Sequence, residues 1–130
     1  DFFTGLYETA LEPGEFLREV LLPVCAASDF STFREVSVRQ EGVAIAGLAA
    51  HWVRDGSRVR KAAFAAMGVD AKPVRLRRAE AALEQGASAE DISNAAIAEV
   101  APVADVYASA AYRRHVIGAL VRQAVEEGRA

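Results

Sequence analysis

The feature that most constrains the fold is a long stretch of sequence that predicts two β-strands joined by a tight turn. The first arm covers residues 43–53 and the second arm covers residues 58–67, with Arg54-Asp-Gly-Ser57 between them. An Asp-Gly pair is a strong hairpin signal because glycine accepts the positive φ angle that a tight turn requires. The first arm is apolar on both faces, which predicts a strand that is covered twice or that lies in the middle of a sheet.

Segments typical of strands precede this hairpin, and segments typical of helices follow it. The two earlier strands are predicted over residues 16–23, ended by Pro23, and 30–39. Strong helix formers, serine caps and apolar residues at helical spacing predict three helices, over residues 74–85, from Ser88 towards Pro102, and over 109–127. The order predicts an α+β fold, in which an antiparallel sheet of three to four strands is followed by three helices packed on one face.

Length, charge and cysteine content limit the classes of protein to which the chain can belong. The 130 residues are expected to form a single domain. A net charge of −3 argues against a nucleic-acid partner, because it offers no positive field to a phosphate backbone. A single cysteine argues against a disulfide-stabilised secreted scaffold, and no apolar run is long enough to cross a bilayer. We therefore expect a cytoplasmic protein and, because residue 1 is Asp rather than Met, a piece of a longer chain.

The residues that could carry chemistry do not form a recognisable catalytic motif. No Gly-x-Ser-x-Gly, Gly-x-Gly-x-x-Gly or phosphate-loop pattern occurs. His51 and His115 are far apart in sequence, without a cysteine or carboxylate at metal-ligand spacing beside either, so a structural or solvated histidine is the expected interpretation. Cys25 has no cluster of positive charge around it and is interpreted as a buried or half-buried inert thiol. Taken alone, the residues favour a cap, a subunit or a binding module.

A cluster of arginines, Arg75, Arg77 and Arg78, lies at the predicted start of the first helix. Arginines in this position are usually solvated or salt-bridged, and an anion site is the alternative. The acidic residues of the helical half are interpreted as solvated helix charges that form no convincing acid–base pair: Glu80, Glu84, Glu90 and Asp91.

An ordered series of motifs runs through nearly the whole chain. Its members are Asp1-Phe-Phe-Thr-Gly5, Thr9-Ala-Leu-Glu-Pro-Gly-Glu-Phe-Leu17, Phe33-Arg-Glu-Val-Ser-Val-Arg39, Val43-Ala-Ile-Ala-Gly-Leu-Ala-Ala50, Met67-Gly-Val69, Pro73-Val-Arg75, Arg78-Ala-Glu-Ala-Ala-Leu83, Tyr112-Arg-Arg-His-Val116 and Leu120-Val-Arg122. Together they resemble the C-terminal domain of the FAD-binding (medium) subunit of molybdenum hydroxylases. That family includes aerobic carbon monoxide dehydrogenase and the xanthine dehydrogenases.

The resemblance implies a role in a multi-subunit oxidoreductase. In such an enzyme, 2Fe-2S clusters on a small subunit take electrons from the molybdopterin cofactor of a large subunit and pass them to FAD, which reduces an external acceptor. The resemblance implies that FAD is bound mainly by an upstream region that is not among these residues. Residues 1–130 would be the domain that helps to enclose the cofactor in a hetero-oligomer, and this domain alone is not expected to be catalytic.

Two positions carry over from the family as candidate cofactor-binding residues. Leu17 falls where xanthine dehydrogenases place an apolar residue against FAD, and it would shield an edge of the flavin from water; the alternative is that Leu17 is strand core. Arg34 falls where those enzymes have a lysine near the flavin, and a cation there would stabilise negative charge on the reduced ring. Its planar guanidinium is not equivalent to an ammonium group, and the alternative is a strand-surface charge.

Two other functions stay open from the sequence. One is a non-catalytic α+β protein-interaction domain without a cofactor. The other is a standalone enzyme with a site built on His51 or His115, which His→Ala substitution would test.

Overall fold

The computed structural model describes residues 2–39 and 42–130, and the strands precede the helices as predicted. The elements in chain order are β1 (Phe3–Gly5), β2 (Glu8–Thr9), β3 (Phe30–Ser37), β4 (Ala44–Asp55), β5 (Arg58–Met67), β6 (Val74–Arg75), α1 (Arg77–Glu84), α2 (Ala89–Ile97) and α3 (Ala110–Arg129). β3, β4, β5 and β6 form an antiparallel sheet in that order, while β1 and β2 form a separate two-stranded sheet. The predicted α+β fold with a sheet of three to four strands and three helices is confirmed.

The β4–β5 hairpin is the centre of the sheet. Asp55 pairs with Arg58, so Gly56 and Ser57 are the two residues of the turn. Gly56 has a φ angle of 61°, which a two-residue hairpin turn with glycine at its first central position requires. β4 has β3 on one side and β5 on the other. Of the two environments predicted for the first arm, the middle of a sheet is the correct one.

The predicted strand over residues 16–23 is wrong. Residues 17–26 lie in neither a helix nor a strand, and the side chains of residues 10–28 are exposed. β-Propensity and an apolar composition do not make a strand unless a neighbour supplies backbone hydrogen bonds, and no described strand pairs with this segment. The fourth strand of the sheet is instead the short β6, so α1 begins three residues later than the predicted helix start at Val74.

The hydrophobic core lies between the helices and one face of the sheet. The Trp52 ring stacks on Phe30 with ring centroids 4.2 Å apart and meets Phe64 edge-on at 6.0 Å. Every second side chain along β4 and β5 enters the core, as expected for a sheet that is covered on one face. The strands contribute Ala46, Leu48, Ala50, Trp52, Ala62, Phe64 and Ala66. The helices contribute aliphatic side chains that include Leu83, Ile92, Ile117, Val121 and Val125. The prediction that the helices pack on one face is confirmed.

Side-chain caps fix the starts of the helices. The Ser88 and Ser109 hydroxyls accept hydrogen bonds of 3.1 Å from the backbone N–H groups of Asp91 and Tyr112, as the predicted cap at Ser88 requires. α1 lacks such a cap from its own sequence. Glu99, which follows α2, supplies it instead, because its Oε1 accepts hydrogen bonds from Arg78 N at 2.8 Å and Ala79 N at 3.1 Å.

The long helix α3 packs on α2 through a glycine. Gly118 is buried, and its carbonyl accepts a 2.9 Å hydrogen bond from the Ser93 hydroxyl. A Cβ at this position would lie 2.6 Å from Ile97 Cδ1, so glycine permits the close approach of the two helices. None of the helices in the described part of the chain has both the length and the apolar character needed to span a bilayer.

Candidate functional site

Arg34 lies in β3 at the edge of the sheet, opposite Leu48 and therefore on the helix-covered side. Its Nη2 donates a 2.5 Å hydrogen bond to Glu127 Oε2 on α3, and the Arg34 side chain keeps 35% of its surface exposed. The Nε atom is buried and has no hydrogen-bond partner among the described residues. A positive charge is thus held in place at this edge by one carboxylate, while the buried Nε–H group has no partner among the described residues.

Leu17 lies in the extended segment that precedes β3, and it is not part of the hydrophobic core. The alternative that Leu17 is strand core is therefore wrong. The structure places the two predicted cofactor-binding residues on different elements, Leu17 in an exposed segment and Arg34 at the sheet edge. Their contact with a flavin stays a prediction.

The segment that contains Leu17 exposes an unusual amount of apolar surface. Six of its large apolar side chains are between 54% and 98% exposed: Phe16, Leu17, Val20, Leu21, Leu22 and Val24. Large apolar side chains that are exposed close together commonly mark a site of contact with other polypeptide. The segment therefore has the character of a contact surface.

The face of the sheet that the helices do not cover forms a shallow groove of about 490 Å³. Its floor is made largely of alanine side chains, with Phe33 and His51 on neighbouring strands and Arg75 at its border. The sequence analysis treated β4 as apolar on both faces and therefore did not predict an open groove on one of them. The signal that could have revealed it is the small size of the residues on one face, Ala49, Ala63 and Ala65, because alanine leaves room where a second covering layer would need larger side chains.

A buried arginine ties the loop before α3 to the sheet. The Arg113 side chain is 8% exposed, and its Nη2 donates a 2.6 Å hydrogen bond to Asp105 Oδ2. Its Nη1 donates to the carbonyl oxygens of Ile45 and, at 2.9 Å, Gly68. Arg113 belongs to the motif Tyr112-Arg-Arg-His-Val116, and these contacts give it a structural role.

The pKa of Asp105 is held below its ordinary value of 3.8. The main causes are hydrogen bonds that its carboxylate accepts from the backbone N–H groups of Ala108 and Tyr107, each 2.9 Å long, followed by the hydrogen bond from Arg113. These donors favour the ionised carboxylate, so protonation opposes the folded state.

We expect this carboxylate to contribute to stability above the ordinary pKa of 3.8 that it has in the unfolded chain, and to lose that contribution as the pH falls through its lower folded pKa. Asp105→Asn should therefore be less stable than the wild type near neutral pH, and the difference should disappear in acid. Urea unfolding of both proteins between about pH 7 and about pH 2.5 measures this. A stability difference that stays constant over the whole range would contradict the assignment.

The acidic residues of α1 are not all solvated charges, as the sequence had suggested. Glu80 is buried, its Oε1 accepts a 2.9 Å hydrogen bond from Phe64 N, and it pairs with Arg75 at 2.7 Å and Arg77 at 3.5 Å. Glu84 accepts a 2.8 Å hydrogen bond from Ala62 N. The two carboxylates thus satisfy N–H groups of β5 beyond the end of the short β6, and the arginine cluster is at least partly salt-bridged.

The two histidines have different surroundings. His115 is exposed on α3, whereas His51 lies in β4 and shares a 2.8 Å hydrogen bond between its Nδ1 and the hydroxyl of Ser31. Cys25 is exposed, so the prediction that its thiol is buried or half-buried is wrong. The potential ligand atoms of His51, Cys25 and Asp29 lie within 4.8 Å of one another. The sequence did not predict this cluster, because only the pairing of β3 with β4 brings His51 beside the turn that precedes β3.

Comparison with known proteins gives one family. Residues 31–128 match the model of a family described as the CO dehydrogenase flavoprotein C-terminal domain. No curated protein sequence matches the chain.

Solved structures resemble the chain over 99% of its length. A carbon monoxide dehydrogenase from Hydrogenophaga pseudoflava, which lacks the Mo-pyranopterin moiety of the molybdenum cofactor, has a TM-score of 0.90 at 29% identity. Reconstituted CO dehydrogenase from Oligotropha carboxidovorans has a TM-score of 0.87 at 26% identity, and quinoline 2-oxidoreductase from Pseudomonas putida 86 has 0.84 at 25%. The chain spans 47%, 46% and 46% of the length of these three chains.

Proposed function

Because this chain belongs to the family of CO dehydrogenase flavoprotein C-terminal domains, we propose that residues 1–130 are one domain of the FAD-binding subunit of a molybdenum hydroxylase. The observation that carries this proposal is the family match over residues 31–128, supported by a likeness in fold that extends over 99% of the chain. The longer subunit would hold FAD mainly through an upstream region, and the present domain would help to enclose it.

The two candidate residues have chemistry that fits FAD. Arg34 offers a positive charge and a buried Nε donor without a described partner, and Leu17 offers an exposed apolar side chain. FAD would supply the electron chemistry, accepting electrons from iron–sulfur clusters and passing them to an external acceptor. Arg34 would lower the cost of placing negative charge on the reduced ring, and Leu17 would exclude water from one edge of it.

The proposal extends to the assembly. The partners would be a large subunit with the molybdopterin cofactor and a small subunit with 2Fe-2S clusters, in a cytoplasmic hetero-oligomeric oxidoreductase. The exposed apolar segment around Leu17 is consistent with a domain that packs against other polypeptide. The same segment is the observation that favours the second candidate function, a protein-interaction domain without a cofactor.

Arg34→Ala in the complete flavoprotein should lower the two-electron reduction potential of FAD, because a cation near the reduced ring favours reduction. A charge interaction of about 1–3 kcal/mol corresponds to a decrease of about 20–60 mV. Arg34→Lys restores the residue that xanthine dehydrogenases have and should recover most of the potential. Spectroelectrochemical titration measures the FAD reduction potential of the wild type, Arg34→Ala and Arg34→Lys.

Two further variants separate the charge of Arg34 from its ion pair. Glu127→Gln breaks the pair but keeps the cation, so it should raise the potential or leave it unchanged. Arg122→Ala removes an exposed arginine of α3 that pairs with Glu90 at 3.6 Å, and it should have no effect. If Arg34→Ala and Glu127→Gln shift the potential equally and in the same direction, the effect comes from loss of the ion pair and not from the charge of Arg34 near FAD. That outcome would contradict the proposed role of Arg34.

A further inference from the structure

Three side chains with metal-binding chemistry meet where the chain enters the sheet. The thiol of Cys25, a carboxylate oxygen of Asp29 and an imidazole nitrogen of His51 lie within 4.8 Å of one another. None of the three takes part in the proposed contacts with FAD. Sulfur, nitrogen and oxygen donors together form the ligand set that zinc accepts in proteins.

Local structure and strand register produce this meeting. A turn over residues 26–29 is closed by a 3.0 Å hydrogen bond from Asp29 N to Ala26 O and by a 2.9 Å hydrogen bond from Ala26 N to Asp29 Oδ2. The turn brings Cys25 back towards Asp29 just before β3 begins. Antiparallel pairing then places His51 directly opposite Ser31, two residues into β3. The cluster is therefore a product of backbone hydrogen bonds rather than of flexible side chains alone.

The hydrogen bonds of the cluster leave the ligand atoms available. Asp29 Oδ2 is used by the turn, whereas Asp29 Oδ1 is buried and has no hydrogen-bond partner among the described residues. A buried carboxylate oxygen without a partner is costly, and a cation would remove that cost. His51 uses Nδ1 for its hydrogen bond to Ser31, which leaves Nε2 to bind a metal. Metal-binding histidines commonly have such a hydrogen bond on the second ring nitrogen, because it orients the ring.

We propose that Cys25, Asp29 and His51 bind one Zn²⁺ ion, with Ser31 orienting the imidazole of His51. The three residues leave a fourth coordination position of a tetrahedral zinc ion, which water would take. Zinc binds the thiolate, so the Cys25 proton is released to solvent when the ion binds. The proposal goes beyond the flavin role and does not depend on it.

Alkylation of Cys25 tests the site without relying on enzyme activity. Cys25 is the only cysteine among residues 1–130. Iodoacetamide modification of the peptide that contains it can be followed by mass spectrometry in the complete protein. Added Zn²⁺ should slow this alkylation at least tenfold, and a chelator should restore the rate. Asp29→Asn and His51→Gln keep the thiol but lose a ligand, and both should abolish the protection at the same zinc concentration.

Matched variants and an element-specific measurement complete the test. Ser31→Ala should weaken zinc binding by about 10–100-fold, which is the usual effect of losing a residue that orients a metal ligand. Two control variants should bind zinc as the wild type does: Ser28→Ala, in the exposed turn, and His115→Gln. The zinc X-ray absorption that is present in the wild type and lost in Cys25→Ser should contain one sulfur neighbour at about 2.3 Å. Unprotected Cys25, or equal protection in Asp29→Asn, His51→Gln and the wild type, would overturn the proposal.

Discussion

Replacing Arg113 with methionine will lower the free energy of unfolding by about 3–5 kcal/mol, the range expected when one partner of a buried charged network is removed. Methionine retains much of the volume of the arginine side chain, so the loss reports polar contacts more than a cavity. The carbonyl oxygens of Ile45 and Gly68 would lose the guanidinium donor beside them. The Asp105 carboxylate can form hydrogen bonds with water in place of Arg113 more easily than the two carbonyl oxygens can, because its side chain is partly exposed.

Urea unfolding followed by circular dichroism measures the loss. Arg114→Met, on the adjacent residue of the same helix, is the matched control and should change stability by no more than about 0.5 kcal/mol. If the variant with methionine at position 113 were as stable as this control, the buried network would not hold the loop to the sheet.

The second large effect is expected at Trp52, the centre of the aromatic core. Trp52→Ala should cost about 3–5 kcal/mol, because the substitution removes the ring that contacts Phe30 and Phe64 and leaves a cavity. The backbone of α3 also packs on this ring, since a Cβ at Gly128 would lie only 2.0 Å from Trp52 Cζ2. A smaller side chain would therefore loosen the contact between the sheet and the end of α3.

Trp52→Phe distinguishes the contribution of ring packing from the effect of the indole N–H group. The indole Nε1 is buried and has no hydrogen-bond partner among the described residues, so phenylalanine keeps part of the packing and removes an unsatisfied donor. This variant should lose clearly less stability than Trp52→Ala when both are measured by urea unfolding and circular dichroism. Val43→Ala, at a position 95% exposed, is the control and should be close to neutral. Equal losses for alanine and phenylalanine at position 52 would show that ring packing is not the source of the effect.

The parts of the fold that the sequence predicted depend on local signals. The hairpin followed from glycine at the turn, and the starts of α2 and α3 followed from serine caps and apolar spacing. The strand predicted over residues 16–23 failed because a strand also needs a neighbour, which composition cannot supply. The burial of Glu80 was missed for a similar reason, since it depends on N–H groups of β5 that the short β6 does not reach.

The candidate sites also differ in how far the sequence could predict them. Leu17 and Arg34 came from the resemblance to a family, and no local pattern alone would have selected them. The cluster of Cys25, Asp29 and His51 depends on the register between β3 and β4, so it became visible only when the two strands were paired in three dimensions. The sequence predicted the two strands but not their register, which aligns Ser31 with His51.

The most direct test of the proposed function is the flavin content of the protein expressed from its complete reading frame. We predict the visible absorption bands of a flavoprotein and the release of about one FAD per subunit on denaturation. A well-folded protein that shows no flavin bands, even after FAD is supplied, would contradict the assignment to a flavoprotein subunit. That result would instead favour an interaction domain that uses its exposed apolar segment.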